Sequence, residues 1–88
     1  MDRWSSFQHD TFVTDHGLKR LGERIREARK SLGWTQEALA DYAGIDRSYI
    51  GGVERGERNL TFNVLCEICR ALGCDLAALT QGIPEARS

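Results

Sequence analysis

Apolar residues recur along this chain in five helical registers, each bounded by capping and stop signals. Leu18, Leu21, Ile25, Ala28 and Leu32 lie three or four residues apart. That spacing predicts a helix starting near Thr14 or Asp15 and running to Leu32, with Gly33 as its stop. Thr35 is a side-chain acceptor placed to cap a second helix, QEALADYA, which Gly44 ends. Asp46 caps a third, with Ile50 and Val53 on one face, which ends before Gly56. Thr61 caps a fourth bearing Phe62, Leu65, Ile68 and Leu72, ended by Gly73. Asp75 caps a short fifth with Leu76 and Leu79, closed by Gly82 and Pro84. No segment alternates apolar and polar residues long enough to be a strand. The predicted fold is all-α, a compact bundle of five helices. Leu39, Ala43, Ile45, Ile50 and Val53 point at a common core, and Trp34 covers its edge. Ala40 and Gly44 are small where the second and third helices must cross closely.

The stretch Thr35 to Gly56 has the layout of a helix-turn-helix, whose second helix enters the DNA major groove. An ordered set of motifs accompanies it: Arg29, TQEALA, AGI, VERG, an Asn-Leu loop and a final LG. Together, over roughly Leu21 to Leu79, they resemble the lambda repressor-like DNA-binding domain of phage repressors, Cro proteins and the XRE family. Within that family, GIDRSYIGGVERGERN is most similar to the controller proteins of restriction–modification systems. The resemblance implies base contacts from the start of the third helix, at Arg47, Ser48 and Tyr49. It places further contacts at Gly51 and Gly52, which here have no side chain, so Arg58 must share the reading of bases with Arg47. It implies phosphate contacts from Gln36, Asp46, Arg55 and Asn59, and a partly buried Arg29–Glu54 salt bridge. The chemistry of the residues agrees. An arginine fork can donate twice to guanine O6 and N7, and phosphate neutralisation supplies most of the affinity.

Length and charge refine this picture. Eighty-eight residues make one small domain, near the size where a single core only just suffices, so self-association would help it. The expected dimer surface is Cys66, Leu76 and Leu79, on the fourth and fifth helices. Domain limits are an N-terminal arm over 1–17, a DNA-binding domain over 18–82 and a tail over 83–88. The arm carries Trp4, Phe7 and Phe12 without helical spacing, and its default reading is disordered or weakly docked. With Arg3 as its one cation it is a poor minor-groove arm. Net charge is −1, which argues against indiscriminate nucleic-acid binding. Cations are clustered, however, along the first helix and at Arg47, Arg55 and Arg58. No run approaches the roughly 18 apolar residues of a membrane span, and the N-terminus lacks the pattern of a signal peptide. The expected compartment is the cytoplasm.

Enzyme chemistry is not evident. His9 and His16 stand in the N-terminal part, and no nucleophile–base grouping, phosphate-cradling glycine loop or carboxylate pair accompanies them. Gly51-Gly52 is too short for such a loop and costs a helix roughly 1 kcal/mol per Gly relative to Ala. Close approach to DNA or close helix packing would account for it. Cys66 and Cys69 form a Cys-x-x-Cys with Cys74 following, but zinc normally takes four ligands and cytoplasmic thiols stay reduced. By the resemblance, Cys69 and Cys74 occupy core positions as small hydrophobes. No cofactor or metal is expected. The reading is a dimeric, sequence-specific transcriptional regulator on a near-palindromic operator, with double-stranded DNA and RNA polymerase as partners. The alternative is an antitoxin that binds a toxin protein and represses its own operon. Metal or thiol sensing ranks third.

Overall fold

The computed structural model describes residues 11–84, with side chains from His16 onward. The five helices among the described residues are α1 (Thr11–Ser31), α2 (Gln36–Ala43), α3 (Arg47–Glu54), α4 (Phe62–Leu72) and α5 (Leu76–Thr80). Among the described residues there is no strand. The expectations resting on Arg3, Trp4, Phe7 and His9, and on the side chain of Phe12, lie outside the described residues. So does the end of the tail, 85–88.

Local chemistry sets each boundary after α1. Thr35, Asp46, Thr61 and Asp75 all have extended backbones, and their side chains accept from N–H groups of the first helical turn. Gly44 ends α2 at φ 70°, a left-handed conformation that L side chains rarely adopt, and its N–H returns to the helix carbonyls. The first helix is already formed at Thr11, three residues before Thr14. Its end is the return of Trp34 N–H to Arg29 O at 3.1 Å and of Gly33 N–H to Lys30 O at 2.9 Å. These two bonds satisfy carbonyls the helix would leave open.

Leu21 and Ile25 of α1, Leu39 and Ala40 of α2, Ile50 and Val53 of α3, Ile68, Cys69 and Leu72 of α4 and Leu79 of α5 share one buried cluster. Helix α3 packs against α1 and α2, α2 also against α4, and α5 against α1 and α4. Three apolar expectations need correction. Leu32 is 46% exposed, since it stands one residue past the end of α1. Phe62 is 66% exposed. A helical side chain covers the turn N-terminal to itself, and at the first position of α4 no such turn exists. Leu79 is only 5% exposed and belongs to the protomer's own core, with Leu76 packed half-buried beside it. Leu79 therefore has little surface left for a second subunit.

Helix α1 approaches the end of α3 closely at Gly22. A Cβ there would lie 2.3 Å from Val53 O and 2.7 Å from Glu54 O. Gly56, at φ 77°, lets the following loop pass the α1 backbone, where a Cβ would come 2.7 Å from Lys19 Cα. These two contacts hold α3 against α1 with its other face outward.

Candidate nucleic-acid interface

Helix α3 turns Ile50 and Val53 inward, so at 3.6 residues per turn Ser48, Gly51 and Gly52 lie on its outer face. Arg47 and Tyr49 flank that face. Neither glycine is bare: both are buried under polar side chains, with Arg55 and Gln36 over Gly51 and Arg58 over Gly52.

One border is a hydrogen-bonded chain anchored in the core. Arg29 and Glu54 are buried, 8% and 7% exposed, and pair through two bonds, Nε to Oε2 at 2.7 Å and Nη2 to Oε1 at 3.0 Å. The hydrogen bond to Glu54 raises the Arg29 pKa above its already high value, against the opposing effect of burial. Arg29 Nη1 also donates to Trp34 O at 2.7 Å, so the pair ties together α1, α3 and the turn before α2. Buried charges need this degree of pairing to be tolerated. Gln36 extends the chain: its Nε2 donates to Glu54 Oε1 at 3.1 Å, and its Oε1 accepts from Arg47 Nη1 at 3.3 Å. This link from the buried pair to Arg47 was missed in the sequence, where Gln36 signals only a phosphate clamp. An amide at the first position of α2, facing an arginine at the first position of α3, is the signal that could have shown it.

The other border is Tyr49 and Arg58. The Arg58 guanidinium lies over the Tyr49 ring, 5.1 Å from its centroid. Arg55 Nε donates to Glu57 Oε1 at 3.1 Å, an exposed pair of the kind that contributes little to stability. Asn59 is exposed in the same loop.

Asp46 departs from its expected phosphate role. Its Oδ2 accepts from Ser48 N at 3.0 Å and from the Ser48 hydroxyl. The hydroxyl bond, then the backbone bonds, hold its pKa below the usual carboxylate value. It stays an anion committed to capping α3, and an anion repels phosphate. The Ser48 hydroxyl, having donated its proton, keeps only lone pairs for a base edge.

The thiols lie apart from this face. Cys69 is buried, and desolvation followed by the influence of Cys74 pushes its pKa up to about 11. It is protonated at neutral pH and correspondingly unreactive. Among the described residues no group of three or more His, Cys, Asp or Glu could hold a metal ion. None of the described helices is long and apolar enough to cross a membrane.

Comparison with known proteins gives the arrangement its context. A helix-turn-helix family model matches residues 25–79. Control protein C.SmaI of Serratia marcescens is 41% identical over 59 residues, 67% of this chain and 70% of that protein. The crystal structure of the restriction-modification controller protein C.AhdI from Aeromonas hydrophila superposes with a TM-score of 0.69 at 44% identity, over 70% of this chain and 94% of that one. The controller protein C.Esp1396I, crystallised as a tetramer on its natural 35 base-pair operator, gives a TM-score of 0.67 at 36% identity over 72% of this chain and 83% of that one. This chain belongs to the XRE-type helix-turn-helix family of DNA-binding transcriptional regulators and is similar to restriction–modification controller proteins.

Proposed function

We propose that the protein regulates transcription as a two-fold dimer, each protomer laying α3 in the major groove of one half of a near-palindromic operator. The observation that carries this reading is the outer face of α3, with Arg47 anchored through Gln36 on one side and Arg58 stacked on Tyr49 on the other. Arg47, Tyr49 and Arg58 read base edges, with Ser48 accepting from a base donor. Gln36, Arg55 and Asn59 meet phosphates, and Arg55 exchanges Glu57 for the backbone. Phe62, Leu65 and Cys66 fall at helical spacing on α4 and are exposed or half-buried, and they form the surface between protomers. By similarity to C.SmaI and C.AhdI, the regulated genes are those of a restriction–modification system, and the site of action is the cytoplasm. Activation at such a promoter would bring the bound dimer against RNA polymerase.

The test is selection from a random duplex library, followed by titration of a labelled fragment from upstream of the protein's own reading frame. A two-fold symmetric consensus, present in that fragment, is the expected result. Failure to enrich any sequence would overturn the reading.

A further inference from the structure

We infer that Gly52 is a specificity-determining position, because its missing side chain is the seat on which Arg58 is held for base reading. The inference rests on the DNA-reading role proposed above and assigns a function to a residue that cannot itself touch a base edge. Gly52 lies in the middle of α3, where glycine weakens a helix. It is nonetheless buried, and the three atoms nearest to a Cβ built there all belong to Arg58: Cγ at 3.0 Å, Nε at 3.2 Å and Cδ at 3.7 Å. The Arg58 stem thus crosses the helix at Gly52, and its guanidinium then reaches the ring of Tyr49, one turn earlier.

A second observation concerns the donors of Arg58. Arg29, Arg47, Arg55 and Arg70 each give N–H bonds to a side chain of the protein. Arg58 gives none among the described residues, and its contact is with the face of the Tyr49 ring. The edges of its guanidinium remain available for a base or phosphate while the stem is already placed. Stacking beforehand reduces the rotamer freedom lost on binding. A methyl group at position 52 would press on the Arg58 stem, which must give by a few tenths of an ångström, and would leave the backbone where it is. Gly52→Ala should therefore leave the helix intact and its charge unchanged while shifting Arg58 from its stacked position.

Random-library selection and salt titrations on the wild type, Gly52→Ala, Arg58→Ala and Arg58→Lys test this. Gly52→Ala and Arg58→Ala should lose preference at the same base pair of each half-site, on the order of tenfold. Discrimination at the base pair lost in Arg47→Ala should survive in both. Gly52→Ala should melt no lower than the wild type and keep its salt slope. Arg58→Lys, which keeps the charge without the flat stacking group, should keep the slope and lose the preference. An unchanged consensus for Gly52→Ala, or a loss at a base pair different from that of Arg58→Ala, overturns the inference. So does a fall in the salt slope equal to that of Arg58→Ala. If the wild type selects no sequence, the DNA-reading proposal fails, and this inference with it. If the wild type and Arg47→Ala behave as expected and only Gly52→Ala does not, this inference alone is lost.

Discussion

Each charged residue around α3 has a different loss to show when it is removed. Arg29→Ala or Glu54→Ala leaves a buried charge unpaired and should cost about 3–5 kcal/mol, whereas the double variant should lose less than the sum. Denaturant titration of the four proteins measures that coupling, and strict additivity would mean that the pair is energetically idle. Arg47→Ala should cost about 1–3 kcal/mol of discrimination at one base pair per half-site, twice over in a dimer. Arg55→Ala should instead weaken binding to all sequences and flatten the salt slope by nearly one unit per subunit. Titrating operator and scrambled DNA across salt separates the two, and an Arg47→Ala protein with full operator preference would misplace the recognition helix. Asp46 supplies a pH dependence. Its folded pKa is depressed, so its contribution is fully present above the unfolded carboxylate pKa and disappears as pH falls through the folded value. Asp46→Asn, which still caps, should lose that component of acid sensitivity in thermal melts; identical pH profiles would show that the cap's charge is irrelevant. The sequence alone displayed Arg47, Arg55 and Arg58 as cations near one helix. Only coordinates could show that the first leans on Gln36, the second on Glu57 and the third on an aromatic ring.

At the scale of the helix, caps and stops were legible because they are local chemistry. Thr35, Asp46, Thr61 and Asp75 cap in the structure as their hydroxyls and carboxylates suggested. What periodicity could not show is where the core ends. Leu32 and Phe62 keep the right spacing yet lie at helix ends, past the surface that covers their neighbours. Nor could it show close approach between helices. Gly22 looks like a defect in the middle of α1, yet it is where the carbonyls of Val53 and Glu54 meet that helix. Gly22→Ala, normally favourable in a helix, should here destabilise by about 1–3 kcal/mol or more, since backbone has to move. It should also impair DNA binding, because α3 hangs from this contact. Chemical denaturation checks the first point and titration of operator DNA the second. An alanine variant as stable as the wild type would show that the helices separate at no cost.

For the whole molecule, size and surface point the same way. A domain this small buries a limited core, and association is one route to further burial. The described surface supplies an apolar face on α4, where Phe62 is 66% exposed beside half-buried Leu65 and Cys66. Phe62→Glu puts a charge into that face without touching the protomer's own core, so the variant should fold and melt as a monomer. A two-fold through α4 would set two copies of α3 one turn of DNA apart, about 34 Å, so that one protein contacts two half-sites. Breaking the dimer therefore has a signature that a local defect lacks. Each protomer neutralises its own phosphates, so the salt slope of a monomer should be near half that of the dimer. Sedimentation and salt-dependent titration on Phe62→Glu and the wild type read both quantities. The wild type should sediment as a dimer at micromolar concentration, with the variant as a monomer of reduced slope. A variant that stays dimeric would move the interface off α4. A wild type that remains monomeric at high micromolar concentration would mean that each half-site is read alone, and that any symmetry in the operator has another cause.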